Sequence, residues 1–150
     1  LDAMIACCSG GGLAAGTALV IRTLLPNAQV LAAEPADFDD TARSLAAGHR
    51  VSNAPGLTSI CDSVMAPTPG ELTFEINRRY LTGAVAVTDA EVIEAMRTAF
   101  RDLGLVAEPG GSVALASVLT GRFPLDGRTV AVTLSGSNVD LASALQWMAA

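Results

Sequence analysis

Short apolar runs alternate with longer stretches of helical periodicity along the whole chain. The continuous runs predict buried strands at residues 5–8, 29–33, 84–87, 105–107 and 128–134. Apolar positions three or four residues apart predict the helices between them, most clearly at Val92, Met96, Ala99, Phe100 and Leu103. Five strands alternating with helices predict an α/β fold, in which a largely parallel sheet carries helices on both faces.

Local signals predict where several elements begin and end. Two capping boxes, Thr68–Glu71 and Thr88–Glu91, predict the first turns of helices, and the first box has a proline at the first helical position. Pro35 is expected to end the second strand, because it cannot donate to the sheet. Shorter helices are predicted over residues 37–47 and 112–119.

The residues from Cys8 to Gly16, CysSerGlyGlyGlyLeuAlaAlaGly, join the first strand to the first helix. A strand, a glycine turn and a helix N-terminus point several backbone N–H groups at one anion. Glycine permits close approach of a phosphate and a positive φ angle, because it lacks a Cβ atom. Three consecutive glycines exceed what a tight turn alone requires. The stretch therefore predicts a phosphate site.

Composition limits the class of protein. The chain has 150 residues, 51% hydrophobic and 16% charged, which suits one well-buried α/β domain or a large piece of one. A net charge of −6 argues against a nucleic-acid partner, and no apolar run has the length of a membrane span. Three cysteines form neither an even disulfide framework nor a metal-binding pair, so we expect reduced thiols in a cytoplasmic protein.

The basic residues are unusual, because all nine are arginine and the chain contains no lysine. The chain also lacks an initiator methionine and begins almost inside a strand. We therefore expect it to be a piece of a longer polypeptide.

Two interpretations of the loop region stay open from the residues alone. Gly10-x-Gly12-x-x-Ala15 matches the dinucleotide-binding pattern, and Glu34 lies where a ribose-binding acid would lie, 22 residues after Gly12. A group of carboxylates in the same region suits a hard cation such as Mg²⁺ or Ca²⁺, although acids also favour a helix N-terminus. Its members are Glu34, Asp37, Asp39 and Asp40.

Five segments, in this order, resemble one family. They are SerGlyGlyGlyLeuAlaAlaGly (9–16), AlaGluPro…AspPheAspAsp (33–40), ThrProGlyGluLeuThrPhe (68–74), ValAlaGluProGlyGlySerValAlaLeu (106–115) and LeuSerGlySerAsnValAspLeu (134–141). Together they are similar to the C-terminal half of the threonine/serine dehydratase and serine racemase family, the fold-type-II pyridoxal-phosphate enzymes. The resemblance implies a tryptophan-synthase-beta-like fold that is incomplete without an N-terminal half. Residues 1–150 would be the C-terminal part of the catalytic, cofactor-binding domain.

The resemblance also implies a function and its site residues. The expected activity converts threonine- or serine-type hydroxyamino acids to a 2-keto acid and ammonia, with amino-acid racemisation as the alternative. Pyridoxal 5'-phosphate would be bound by Ser9, Gly10, Gly11, Gly12, Leu13 and Ser135, the last facing the pyridine nitrogen. Mg²⁺ or Ca²⁺ would be bound by Glu34, Asp40 and the main-chain carbonyl of Phe38.

The same resemblance implies that the catalytic lysine and the partners of this chain lie outside it. The Schiff-base lysine belongs to the family's N-terminal half, so no catalytic residue is expected here. The expected partners are that half, a small hydroxyamino-acid substrate and a second copy in a homodimer. One departure from the family pattern is Asp62-Ser63, where the family usually has AspGly.

Overall fold

The computed structural model describes residues 1–149, and within that range the chain forms four strands and six α-helices. The strands are β1 (Ala3–Cys7), β2 (Gln29–Pro35), β3 (Gly83–Val87) and β4 (Val130–Val132). The helices are α1 (Gly12–Leu24), α2 (Asp40–Ala47), α3 (Glu71–Tyr80), α4 (Asp89–Leu103), α5 (Pro109–Leu119) and α6 (Leu141–Ala149). None of these helices, over the residues described, has the length and apolar character needed to cross a membrane.

The strands form one parallel sheet in the order β3-β2-β1-β4. Strands β1, β2 and β3 lie side by side in chain order, and α4 and α5 then lead back to β4 on the other side of β1. Ile5 of β1 is accordingly opposite both Leu31 of β2 and Val132 of β4. The order reverses at β1, and in sheets of this kind ligands bind beyond the carboxyl ends of the strands at such a reversal.

Both faces of the sheet are covered, by cores of unequal size. The larger core joins Ile5 of β1 to Met96 of α4 and Val113 of α5. On the opposite face, Cys8 and Ala32 belong to a smaller core that also contains Ala14 of α1. Burial on both faces explains why the strands are continuous apolar runs. The predicted α/β fold with helices on both faces is confirmed.

Helix α1 packs on the sheet through its small residues. Ala14, Ala15 and Ala18 are buried, whereas the larger Val20 and Leu24 are 56% and 71% exposed. The predicted helix is therefore confirmed, and its alanines allow close packing on the sheet. Helix α4 is likewise confirmed, but two residues of its predicted buried face, Phe100 and Leu103, are exposed.

One predicted capping box and one predicted strand are wrong, and a second strand is shorter than predicted. The Thr68–Glu71 capping box is wrong: α3 begins at Glu71 with no side-chain cap, and the Thr68 hydroxyl donates to the carbonyl of Val51 (3.2 Å) instead. The predicted strand at 105–107 is a loop whose first two residues are exposed, so it gains no partner strand. The predicted strand at 128–134 is shortened to Val130–Val132.

Candidate functional site

The glycine loop lies at the carboxyl end of β1, where the strand order reverses. The N–H of Cys8 donates to the carbonyl of Ala33 (2.8 Å), so the loop starts beside the end of β2. The loop after β4 reaches the same edge of the sheet. The carbonyl of Gly111 accepts hydrogen bonds from the Cys7 thiol (3.4 Å) and from the N–H of Ser135 (3.3 Å). The structure thus brings the end of β1 and Ser135 together.

The residues Ser9–Leu13 present a row of free hydrogen-bond donors. Within the described residues 1–149, none of their five backbone N–H groups donates to a protein acceptor. Helix α1 begins here with neither a side-chain cap nor an acidic residue in its first turn. A Cβ atom at Gly10 or Gly12 would meet nothing within 4 Å, so the space beside both residues is open. Free amides at a helix N-terminus suit an anion, and the phosphate of pyridoxal phosphate fits this requirement.

Gly11 differs from its two neighbours, because its conformation itself requires glycine. Its φ angle is +91°, in the left-handed region. A Cβ atom at Gly11 would lie 2.7 Å from Nδ2 of Asn77 and 3.0 Å from Oγ1 of Thr73. The middle glycine therefore permits close contact with α3, whereas Gly10 and Gly12 border open space.

The hydroxyl of Ser9 connects the glycine loop to a neighbouring segment. Its Oγ accepts a hydrogen bond from the N–H of Ala66 (3.2 Å) and so connects the loop to the irregular segment before α3. The predicted contribution of Ser9 to phosphate binding depends on its backbone N–H, which a serine supplies as well as a glycine does.

Ser135 follows β4 and is exposed. Together with the neighbouring residues 134–137, it lines a cavity of about 310 Å³, whose other side is the loop at 105–107. The segment that was predicted as a strand therefore lines the same cavity as Ser135.

Glu108, a residue that was not predicted to belong to the site, shapes the loop around Ser135. Its backbone N–H donates to the carbonyl of Gly136 (2.9 Å), and its Oε2 accepts from the N–H of Asn138 (3.0 Å). Its Oε1 lies 3.5 Å from the Ser63 hydroxyl. A Cβ atom at Gly136 would come within 2.2 Å of the same Oε1 atom. The available sequence signal was an acidic residue directly before a proline that begins a helix.

Glu34 is fully buried at the end of β2. Its Oε1 accepts the N–H of Thr41 and its Oε2 accepts the N–H of Ala42, each at 2.9 Å, at the start of α2. Burial raises the pKa of Glu34 to about 7. A ribose could not reach this carboxylate. The dinucleotide interpretation therefore loses the acidic residue on which it depended.

Asp40 fits a cation better than Glu34 does. It is 1% exposed, its Oδ1 accepts from Nδ2 of Asn53 (2.7 Å), and its Oδ2 is buried without a partner. Burial also raises the pKa of Asp40. A buried carboxylate oxygen that lacks a donor is suited to a hard cation, and the carbonyl of Phe38 could supply another oxygen.

The remaining members of the predicted acidic group do not join Asp40. Asp39 forms an ion pair with Arg43 (2.6 Å), and Asp37 is exposed. Over residues 1–149, no three side chains of His, Cys, Asp or Glu are grouped so that they could hold a metal ion. The cation site of two carboxylates and one carbonyl is smaller than such a group, and it stays a prediction.

Comparison with known proteins gives one consistent family. The model of the family described as "Pyridoxal-phosphate dependent enzyme" matches residues 1–136. Serine racemase from Dictyostelium discoideum is 37% identical over 145 residues, covering 95% of this chain and 45% of that protein. The beta-hydroxyaspartate dehydratase of Paracoccus denitrificans is 36% identical over 141 residues, covering 94% of this chain and 44% of that protein.

A solved structure agrees with these relatives. Maize serine racemase is 33% identical and superposes with a TM-score of 0.87, covering 99% of this chain and 46% of that one. This chain thus spans less than half the length of each of these three relatives. The match nevertheless covers nearly all of its own residues, including both loops at the reversal of the sheet. The chain belongs to the fold-type-II family of pyridoxal-phosphate-dependent enzymes, together with the threonine/serine dehydratases and the serine racemases.

Proposed function

We propose that this chain is the C-terminal, cofactor-binding part of a dehydratase that depends on pyridoxal phosphate. Its reaction would convert threonine- or serine-type hydroxyamino acids to a 2-keto acid and ammonia. The observation that supports the proposal most is that the free amide donors of residues 9–13 and Ser135 lie at the same edge of the sheet, since Cys7 at the end of β1 and Ser135 both donate to the carbonyl of Gly111. A phosphate and a pyridine nitrogen lie at different positions of the same cofactor, so one ligand could contact both loops.

The backbone N–H groups of Ser9–Leu13 would bind the phosphate, aided by the positive end of α1. Pyridoxal phosphate, when bound, supplies the electron sink that weakens the bonds at the α-carbon of an amino acid. The residues of this chain would bind and orient that group, and none of them would act as the catalytic base.

Ser135 would keep the pyridine nitrogen unprotonated. A hydroxyl can donate a hydrogen bond to an unprotonated ring nitrogen without carrying a charge. An ionised aspartate in its place could only accept, and it would favour the protonated ring by opposite-charge attraction. By leaving the ring nitrogen unprotonated, Ser135 would weaken the electron withdrawal that the cofactor supplies, which would favour loss of the β-hydroxyl over transamination.

Covalent attachment of the cofactor would come from outside these residues, since the chain contains no lysine. We therefore propose that the N-terminal half of the same enzyme is the essential partner, and that the complete enzyme is a homodimer. Glu34, Asp40 and the Phe38 carbonyl would bind Mg²⁺ or Ca²⁺, and the unpartnered Oδ2 of Asp40 supports that part of the proposal.

Racemisation is the second candidate activity. It is favoured by the 37% identity to the serine racemase of Dictyostelium discoideum. The same residues would bind the cofactor in either case, so the choice depends on whether the β-hydroxyl leaves or the α-proton returns.

The deciding experiment uses the native protein that contains this chain, with and without added pyridoxal phosphate. L-Threonine, L-serine and 3-hydroxyaspartate are each supplied, and the 2-keto acid, ammonia and D-amino acid are measured in the same reaction. Keto acid and ammonia in equal amounts support the dehydratase, and D-serine in excess supports the racemase. A protein that binds no pyridoxal phosphate and releases none of these products would contradict both.

A further inference from the structure

Helix α3 and the glycine before it donate hydrogen bonds to the carbonyl groups of the glycine loop. The carbonyl of Gly10 accepts two hydrogen bonds, one from the N–H of Gly70 (3.1 Å) and one from the hydroxyl of Thr73 (2.5 Å). The carbonyl of Gly11 accepts one from the N–H of Ala15 (2.8 Å), inside α1, and a longer one from Nδ2 of Asn77 (3.4 Å). Thr73 and Asn77 are one helical turn apart, so they lie on the same face of α3.

The direction of these carbonyls determines the direction of the next amide. Every peptide bond in residues 1–149 is trans, so the C=O of one residue and the N–H of the following residue point in opposite directions across a rigid plane. When the Gly10 carbonyl points at α3, the N–H of Gly11 must point away from it. The same relation connects the Gly11 carbonyl to the N–H of Gly12.

The contact between the glycine loop and the start of α3 is close enough to restrict the peptide planes that follow Gly10 and Gly11. A Cβ atom at Gly70 would lie 2.8 Å from Oγ1 of Thr73 and 3.1 Å from the Gly10 carbonyl oxygen, so this approach requires a glycine on the α3 side as well. The Thr73 hydroxyl has a second acceptor within reach, the carbonyl of Gly70, at the longer distance of 3.1 Å. The Gly10 carbonyl is therefore its nearer partner.

We propose that Thr73, assisted by Asn77, is a positioning residue that aims the N–H groups of Gly11 and Gly12 at the phosphate of the cofactor. The inference rests on the proposed function, because it assumes that this loop binds a phosphate. Thr73 itself touches no phosphate, and its effect passes through the peptide planes of the loop. Neither residue was singled out by the sequence.

The test compares two ligands that differ only in the phosphate. The native protein that contains this chain is freed of cofactor, and its dissociation constants for pyridoxal 5'-phosphate and for pyridoxal are measured by equilibrium dialysis. Thr73→Val keeps the shape of the side chain and removes the donor. We expect it to weaken pyridoxal 5'-phosphate binding by about tenfold and to leave pyridoxal binding unchanged. Thr73→Ser, which retains the hydroxyl, should restore the preference for the phosphorylated ligand.

Thr68→Val is the matched control, because the Thr68 hydroxyl donates to the carbonyl of Val51 and not to the loop. It should alter neither dissociation constant. Phosphorus-31 NMR of the bound phosphate provides a second measurement: its resonance should shift in Thr73→Val and not in Thr68→Val. If Thr73→Val does not fold, Asn77→Leu tests the same geometry at Gly11, with the same selective loss expected.

The outcomes distinguish the positioning role of Thr73 from the proposed phosphate-binding function. Equal weakening of both ligands by Thr73→Val, or no weakening of either, would overturn the positioning role while leaving the phosphate loop in place. A wild-type protein that binds pyridoxal as tightly as pyridoxal 5'-phosphate would overturn the proposed function, and the positioning role with it.

Discussion

Alanine at Gly11 should damage the fold, whereas alanine at Gly12 should damage only the predicted phosphate site. Gly11 has a φ angle of +91°, and a left-handed conformation costs a residue with a Cβ atom about 1 to 2 kcal/mol. The new Cβ atom would also lie 2.7 Å from Nδ2 of Asn77, so that side chain must move and its hydrogen bond to Gly11 is lost. Such a bond contributes about 0.5 to 1.5 kcal/mol.

The two costs together lower the free energy of unfolding by about 1.5 to 3.5 kcal/mol in Gly11→Ala. In a domain of this size, that corresponds to a fall in Tm of roughly 3 to 14 °C. Gly12 has no positive φ angle, and a Cβ atom there meets nothing within 4 Å. Because alanine is a better helix former than glycine, Gly12→Ala should be as stable as the wild type or more stable, by up to about 1 kcal/mol.

Cofactor affinity, unlike stability, should fall in Gly12→Ala. The Cβ atom of Gly12→Ala would project into the open space beside the free amides, so we expect pyridoxal 5'-phosphate to bind at least about tenfold more weakly. Urea unfolding of the cofactor-free native protein measures the first effect, and equilibrium dialysis measures the second. A Gly11→Ala protein as stable as the wild type, or a Gly12→Ala protein with unchanged affinity, would refute this assignment of the two glycines.

Four further outcomes are expected. A chelator should lower the Tm of the native protein, since a cation at a hundredfold excess over its Kd contributes about 2.7 kcal/mol; Asp40→Asn should abolish this response and the exposed Asp37→Asn should retain it. Nitrogen-15 NMR of labelled cofactor should find the ring nitrogen unprotonated, and Ser135→Asp should protonate it whereas Ser137→Ala should not. The three buried cysteines should resist an aromatic disulfide reagent at pH 8 until the protein unfolds, because burial raises the pKa of two of these thiols to about 12. The isolated 150-residue chain, treated with pyridoxal phosphate and borohydride, should yield no stoichiometric adduct at a single residue, since it contains no lysine.

Sequence signals predicted structure well where the interacting groups are near each other in the chain. The capping box at Thr88 forms both of its expected hydrogen bonds with Glu91, three residues away. Gly48 ends α2 in the left-handed conformation, as a glycine after a helix should. These contacts close within one turn, so the local residues are sufficient to determine them.

The same kind of signal failed at Thr68 and at residues 105–107 for a physical reason. A capping side chain must lie directly before the first helical turn, but α3 begins at Glu71 after Gly70, so Thr68 lies outside the cap position and its hydroxyl donates to the carbonyl of Val51 instead. A three-residue apolar segment becomes a strand only if a sheet edge pairs with it, and in the described part of the chain residues 105–107 pair with neither edge strand, β3 or β4. Both outcomes depend on distant parts of the chain.

In the candidate site too, some features were predictable from local sequence and others depend on residues far apart in the chain. Strand ends followed by small residues predicted that the glycine loop and Ser135 would meet, because parallel strands end at a common edge. Thr73 was not predicted, since its partner Gly10 lies 63 residues away and a threonine within a helix is unremarkable in sequence. Glu34 was predicted as a cation ligand, but the hydrogen bonds it accepts from the start of α2 depend on how that helix packs.

The alanine face of α1 has a consequence for engineering this protein. Ala14 and Ala18 are fully buried, so their methyl groups determine the distance between the helix and the sheet. A larger residue at either position would overpack that interface and push the helix outward. The first turn of the same helix carries the free amides, so those donors would move although no residue of the loop had been changed. Redesign of the binding loop therefore has to preserve the small volume behind it, because the accuracy of the site depends on atoms that no ligand touches.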